Sequence, residues 1–366
     1  MQGLDLTCHS RLMVLAPHPD DETLAAGGLL QHAITAGATV RVLFLTAGDN
    51  NPWGQRLLER RWRIGPADRD RYARQRRSEA EAAMATLGVP ADGPVWLDYK
   101  DQGLTRLLLA GDRRIIDDLA ARIGEWRPTL LVTPSPLDLH PDHSAAGLAA
   151  SLAMDLLPAD RRPLERLEYL VHTRASLHPQ DRIVALSLSD QQRECKRQAV
   201  RCHASQVKVR PRSLLARAGD REVFLVPQDV PADIGEAHSV RLAHIEGAYL
   251  RMQLVLRARP LAFGGVKLLL LAWRKDRFVA GYQFVLPRSA WRVRKELSLV
   301  GFPGNGGDHL ALCASYRGGR RGGEISLPLQ TFQPLTRLFA KVQRRFGLYD
   351  QAGWREIPLP CPGRVV

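Results

Sequence analysis

Along the N-terminal part of the chain, short apolar runs alternate with longer stretches whose apolar residues recur every three or four positions. Residues 12–16, 40–46, 95–98 and 130–133 are the short runs, and unbroken apolar character predicts strands buried on both faces. Residues 21–36, 71–87 and 114–126 carry the helical spacing. The first begins at a carboxylate and stops before Gly37; the second stops at Gly88 and Pro90. This rhythm predicts right-handed crossovers and a Rossmann-like α/β fold, a parallel sheet with helices on both faces. Residues 50–71 are polar and basic and contain Trp53 and Trp62. They read as a long loop that either closes over a sugar ring or is simply pinned to the body.

Beyond Phe224 the texture changes. Residues 227–237 are rich in Pro, Asp and Gly and read as a linker. Residues 248–257, 266–273, 278–285, 296–302, 309–316 and 324–328 suit strands, with Gly-rich turns at 304–307 and 318–323, which predicts an all-β, sandwich-like domain. Residues 336–349 read as a basic amphipathic helix. The expected division is an α/β domain over 1–226, a linker over 227–237 and a β-rich domain over 238–366, open between glycan binding and dimerisation.

A length of 366 residues suits two domains, and 45% hydrophobic residues suit a proper core. The longest apolar run, 266–273, is too short for a transmembrane segment. The first residues lack a basic stretch followed by an apolar one, so a cytoplasmic location is expected. Five cysteines without a close pair read as thiols in a reducing compartment. The net charge of +14 is nearly all arginine. It reflects either genome composition or attraction to an anionic partner such as a phosphorylated glycolipid, a nucleotide-sugar or an acidic membrane surface. Basic residues are not interleaved with aromatics, which are only 6% of the chain, so no nucleic acid partner is expected. The basic 336–349 segment offers either peripheral membrane contact or a solvated face. Oligomeric state has no sequence signature.

The chemistry lies in LAPHPDDE (residues 15–22) and LHPDH (residues 139–143). His18 and Asp21 are three apart, so both can face one point if a helix begins there. His140 and His143 repeat the spacing, offering a third ligand and a second His that need not be one. Two His and one carboxylate leave a coordination position open, as catalytic zinc sites do. Either motif alone is also what a strand-to-helix turn looks like, with Pro fixing the backbone and Asp capping the helix. Both follow apolar strands, and a parallel sheet gathers such ends at one edge. Asp20 cannot easily ligate beside Asp21, because neighbouring side chains point apart. It is better placed as a general base.

These motifs resemble those of the PIG-L/LmbE-like family of zinc-dependent de-N-acetylases, which act on N-acetylglucosamine-type sugars. Arg76-Arg-Ser-Glu79, Asp101-Gln-Gly-Leu104, the pattern K-x-x-A-x-x-x-H-x-S-Q over 196–206 and Glu222-Val-Phe224 extend the resemblance over residues 10–226. It implies His18, Asp21 and His143 as ligands of Zn²⁺ and Asp20 as general base. It also implies that Asp142 orients or charges His140. As an imidazolium, His140 would stabilise an oxyanion and protonate the leaving amine, giving a bell-shaped pH profile. Arg76 is either a substrate contact or a solvated helix residue, and Asp101 either binds sugar hydroxyls or caps a turn. His203, Ser205 and Gln206 read as support beneath the site; His172 and His178 read as ordinary residues.

The expected activity is hydrolysis of the N-acetyl group of an amino sugar or glycoconjugate, with an anionic acceptor favoured by the charge. A zinc amidohydrolase of a non-sugar or differently acylated substrate is the alternative within enzymes. A non-catalytic glycan-binding or regulatory protein is the alternative outside them. His₂Asp ligation also tolerates iron or cobalt.

Overall fold

The computed structural model describes residues 4–173, 182–227, 238–256, 265–274, 279–287, 293–298, 300–301, 313–319, 321–332, 335–344 and 349–358. Nearly all of the expected linker, His178 and the glycine turn at 304–307 lie outside these residues. The strands β1 (Arg11–Ala16), β2 (Thr39–Thr46), β3 (Pro94–Tyr99), β4 (Leu130–Pro134) and β5 (Glu165–Tyr169) pair in parallel, in the order β3-β2-β1-β4-β5. β6 (Ile183–Ser187) and β7 (Arg221–Leu225) complete the sheet as β5-β7-β6, both pairings antiparallel. The sheet is therefore mixed rather than wholly parallel, with its antiparallel strands confined to one edge.

Nine described helices accompany it: α1 (Asp21–Thr35), α2 (Pro52–Glu59), α3 (Pro66–Thr86), α4 (Leu104–Leu109), α5 (Arg114–Trp126), α6 (Pro141–Leu156), α7 (Asp190–Cys202), α8 (Ala204–Val207) and α9 (Pro211–Leu215). Alternate residues of β1 face opposite ways. Leu12, Val14 and Ala16 pack with residues of α1, α3 and α7, while Met13 and Leu15 pack with residues of α4, α5 and α6. The unbroken apolar run is the signature of that double burial.

Residues 50–71 are not a simple loop. They contain α2 and the first turn of α3, each opened by a proline at its start and preceded by Asn51 or Gly65. Asn51 Oδ1 accepts from Gly54 N at 3.2 Å, so an Asn-Pro start signal was present beneath the polar composition. Trp53 and Trp62 remain exposed, at 72% and 83%.

The C-terminal strands are β8 (Val240–Glu246), β9 (Tyr249–Val255), β10 (Val266–Arg274), β11 (Val279–Leu286), β12 (Val293–Ser298), β13 (Val300–Gly301), β14 (Cys313–Gly319), β15 (Gly322–Pro328), β16 (Leu335–Arg344) and β17 (Arg355–Ile357). They form two antiparallel sheets, β13-β11-β10-β16-β17 and β12-β14-β15-β9-β8. Leu268, Leu270 and Ala272 of β10 join the core between the two sheets. Leu269, Leu271 and Trp273 join the core containing α4, α5 and α6. One sheet is thus covered on both faces, which explains why β10 is almost wholly apolar. Gly281 of β11 lies so close to α4 that an added Cβ would sit 2.1 Å from Leu109 O.

The expected helix over 336–349 is a strand as far as Arg344, and residues 345–348 lie outside the described ones. Its first part is β16, paired along its length with β10. Leu338, Ala340 and Val342 face the sandwich, whereas Phe339 joins the α/β core, which is a period of two. The charges misled because two of them are interior partners: Lys341 is fully buried, and Arg337 binds Asp155 of α6 and Glu356 of β17.

One buried ion pair ties the antiparallel edge to α1. Lys196 Nζ lies 2.5 Å from Glu222 Oε1 and donates to Leu24 O at 3.1 Å. The Glu222 carboxylate also accepts from Gly28 N and Leu29 N, at 2.6 and 2.9 Å. Removing the carboxylate would leave a buried ammonium and two buried donors uncompensated. Glu222→Ala should therefore lower unfolding free energy by roughly 3–5 kcal/mol in urea titrations. Lys196→Met combined with Glu222→Leu should cost less than Glu222→Ala alone; a double variant as unstable as the single one would contradict this account.

Candidate active site

The order β2-β1-β4 puts the ends of β1 and β4 side by side, where a parallel sheet gathers its ligands. β1 runs through His18 and Asp20 into α1, with Asp20 at the N-cap. β4 leads through Asp138 to α6, where His140 is the N-cap and Pro141 opens the helix. The turn before α4 carries Asp101 from beyond β3 to the same edge.

Three donor atoms converge there. Asp21 Oδ2 lies 3.2 Å from His18 Nδ1 and 3.1 Å from His143 Nε2. Tetrahedral ligands at the zinc–nitrogen bond length of about 2.0 Å stand about 3.3 Å apart, so the two distances from Asp21 match those around a divalent ion. His143 Nε2, on the side facing Asp21, is buried and lacks a hydrogen-bond partner among the described residues. Two further groupings bring ligand atoms within 4.8 Å of one another: His18 with His140 and His143, and His18 with Asp101 and Asp142. His140 Nδ1, however, already accepts from Asp142 N at 3.3 Å. The cluster can hold a metal ion, and Asp21 supplies the tighter spacing.

Each of the two bridging histidines has a carboxylate on its other side. Asp101 Oδ1 stands 3.2 Å from His18 Nε2 and Asp142 Oδ2 stands 3.5 Å from it, while Asp138 Oδ2 stands 3.4 Å from His143 Nδ1. Carboxylates so placed orient metal-binding imidazoles and raise their basicity. They also fix the loops. Asp101 accepts from Asn50 N; Asp142 from Gln102 N and Leu104 N; Asp138 from His140 N, Val171 N and His172 N. Burial works against charge on His143, but Asp21 and Asp138 outweigh it and raise its pKa to about 9. Burial likewise opposes charge on His18, and Asp101 leads the carboxylates that hold its pKa well above the usual imidazole range. So much buried negative charge favours a cation at this point.

Asp20 has an unusual backbone, with φ at 146°. Such conformations cost on the order of 1–3 kcal/mol and persist where surroundings impose them. Here Glu22 accepts from Asp20 N at 3.0 Å, and Arg76 donates to Pro19 O and Gly48 O at 2.6 and 3.0 Å. Arg76 Nη2 also stands 3.3 Å from Asp20 Oδ2. Burial pushes the Asp20 carboxyl up to about 6, with Arg76 pulling the other way.

His140 differs from the sequence expectation. The Asp142 carboxylate is taken by the 102–104 turn and His18; only its backbone N–H meets His140. Burial, then the charges of His18 and His143, hold His140 well below the usual range. That environment disfavours an imidazolium, and with Nδ1 turned to the Asp142 N–H the ring presents Nε2 to the pocket.

The pocket brings together His18, Asp20, Asp21, Arg76, Asp101 and His140, with His143 and Asp142 fully buried beneath. Arg76 and Asp101 line it, yet both are also engaged with the protein as described, Arg76 as a buried clamp rather than a solvated residue. His203 and Ser205 support the site from below, through Glu22 and Thr23 and through Glu79. Sequence reasoning missed Asp138, Glu22 and His172. Asp138 sits two residues before His140, and His172 three after the end of β5, where the strand-end rule points. His172 lines the pocket, its ring centroid 4.9 Å from that of His143.

The sequence matches the family model described as PIG-L, GlcNAc-PI de-N-acetylase, over residues 13–154. A 1D-myo-inositol 2-acetamido-2-deoxy-alpha-D-glucopyranoside deacetylase from Mycobacterium sp. (strain JLS) is 30% identical over 243 residues, covering 55% of this chain and 75% of that protein. The protein of the same name from Mycolicibacterium smegmatis is 32% identical over 162 residues, covering 40% of this chain and 54% of its own length. Among solved structures, the N,N'-diacetylchitobiose deacetylase of Pyrococcus horikoshii aligns with a TM-score of 0.44 at 21% identity, covering 60% of this chain and 84% of that one.

If Asp138 orients His143 toward a cation, Asp138→Asn should weaken zinc binding about 10–100-fold, as loss of such a partner does. Competition against a chromophoric chelator measures this. Unchanged affinity would show that Asp138 only holds the loop.

Proposed function

The chain belongs to the PIG-L family, and on that premise we propose that it removes the N-acetyl group of an N-acetylglucosamine-type sugar or glycoconjugate. Acetate and a free amine are the products. The observation that carries this reading is the convergence of His18 Nδ1, Asp21 Oδ2 and His143 Nε2 beside the Asp20 carboxylate in one pocket. These three atoms would hold zinc. When bound, zinc polarises an amide carbonyl and lowers the pKa of water from 15.7 to about 7.

Asp20 accepts the proton of the attacking water. Burial raises the proton affinity of its carboxylate, and Arg76 keeps that carboxylate facing the pocket. As the water oxygen bonds to the acetyl carbon, charge develops on the carbonyl oxygen, and His140 donates a hydrogen bond to it from Nε2. A neutral imidazole suffices for that role. The proton held by Asp20 then passes to the amide nitrogen, the C–N bond breaks, and the amine leaves uncharged. One carboxyl serves as base and then as acid, so no imidazolium is required. Among the described residues no helix is long and apolar enough to cross a membrane.

Asp20→Ala should lower amine release from N-acetylglucosamine conjugates by about 10²–10⁴-fold while leaving zinc content near that of the wild type. A zinc-loaded wild-type protein inert on every such conjugate would overturn the proposal. The pH profile provides a second check. Asp20 acts deprotonated, so activity is lost as pH falls through its pKa. A bound cation adds to the pull of Arg76, so the acidic limb should lie at or below about 6. Activity should hold as pH rises through neutrality, because His140 works uncharged; a fall there would restore the bell-shaped expectation.

A further inference from the structure

The C-terminal strands send one side chain into the pocket. Tyr349, in the connection between β16 and β17, lines it near the start of α9. Its ring centroid is 4.9 Å from that of His172 and 6.1 Å from that of His140. Its hydroxyl accepts from Arg210 Nη1 at 3.2 Å, and Arg210 lines the same pocket. No carboxylate pairs with Arg210 among the described residues.

This placement is held firmly. Next to Tyr349, Asp350 N donates to Leu139 O at 2.9 Å, and its carboxylate lies 2.7 Å from Lys341 Nζ. Lys341 is fully buried and donates to Ser144 Oγ at 2.7 Å, one residue beyond His143. Trp354 N donates to Pro136 O at 2.7 Å. At Gly353 an added Cβ would stand 2.3 Å from that same oxygen, so the two loops touch backbone to backbone. Tyr349 therefore stands at a set distance from the HPDH segment, although about two hundred residues separate them in sequence.

We propose that Tyr349 and Arg210 form an outer subsite that contacts the group attached to the acetylated sugar, making the C-terminal sheets part of the substrate-recognition surface. The proposal rests on the deacetylase reading above and specifies which residues select among its substrates. The acetyl group must lie against His18, Asp21 and His143. His172 is the next ring outward and Tyr349 the one after it. A substrate reaching past its own sugar ring meets the phenol face and the guanidinium edge, a pairing suited to a second hydroxylated ring.

The test compares kcat and KM for N-acetylglucosamine and N,N'-diacetylchitobiose in the wild type, Tyr349→Ala, Tyr349→Phe and Arg210→Met. Thermal midpoints confirm that each variant is folded. The expected result is a fall of about tenfold in the chitobiose-to-monosaccharide ratio of kcat/KM in Tyr349→Ala and Arg210→Met, carried by KM. Tyr349→Phe, which keeps the ring and loses the link to Arg210, should fall between. Equal losses on both substrates, or losses carried by kcat, would make Tyr349 a structural prop and overturn the proposal. If the wild type deacetylates neither sugar, calorimetric titration with glucosamine and chitobiose decides without turnover. A selective loss of chitobiose affinity in Tyr349→Ala supports the subsite, and equal affinities overturn it.

Discussion

Four buried carboxylates, those of Asp21, Asp101, Asp138 and Asp142, surround the imidazoles of His18 and His143. Each also accepts a backbone N–H from a loop at the sheet edge: His18 for Asp21, Asn50 for Asp101, three residues of 140–172 for Asp138, and the 102–104 turn for Asp142. The same groups therefore set the charge of the site and the shape of its walls. Neutralising one of them would change both at once. Together the carboxylates raise the proton affinity of both imidazoles. A divalent cation answers the same charge more fully, and its arrival would displace protons from them.

Much of the α/β region was legible, because strands buried on both faces leave continuous apolar runs, α5 carries clear helical spacing, and glycines mark where α1 and α3 end. The two His-Pro-Asp motifs were legible for a related reason. A parallel sheet places every strand end at one edge, so strand order need not be known to bring the motifs together. What sequence could not supply was direction. The Asp142 side chain turns toward the 102–104 turn instead of His140, and that depends on a hydrogen-bond partner some forty residues away. Arg76 read as either a substrate contact or a solvated helix residue, because nothing local announces a guanidinium folded under the Asp20 turn. β16 was lost to composition: its arginines and lysine suggest a helix surface until their partners on α6 and β17 are known.

The sandwich has an interior of its own, yet one of its sheets also shares the interior of the α/β region. Leu269, Leu271, Trp273, Phe339 and Trp354 share a core with α4, α5 and α6. Burying both faces of one sheet gives it the energetic weight of a parallel-sheet strand layer, with an antiparallel pairing pattern. Two polar contacts cross this surface to α6: Lys341 with Ser144, both buried, and Arg337 with Asp155, both half-buried. That helix begins with the histidines, so its position answers to both halves of the molecule.

The clamp around Lys341 has a consequence for how the chain comes into being. Ribosomes emit residues in order, at roughly 5–20 per second. The segment carrying His143 would leave the exit tunnel tens of seconds or less before Lys341, Asp350 and Trp354 follow it. During that interval the faces of α4 and α6 that later meet β10 and β16 stay uncovered, and Ser144 lacks its ammonium partner. A nascent chain in that state exposes apolar surface while its metal-binding motifs are already synthesised. Holdase chaperones and premature metal capture would compete for it until the last strands arrive.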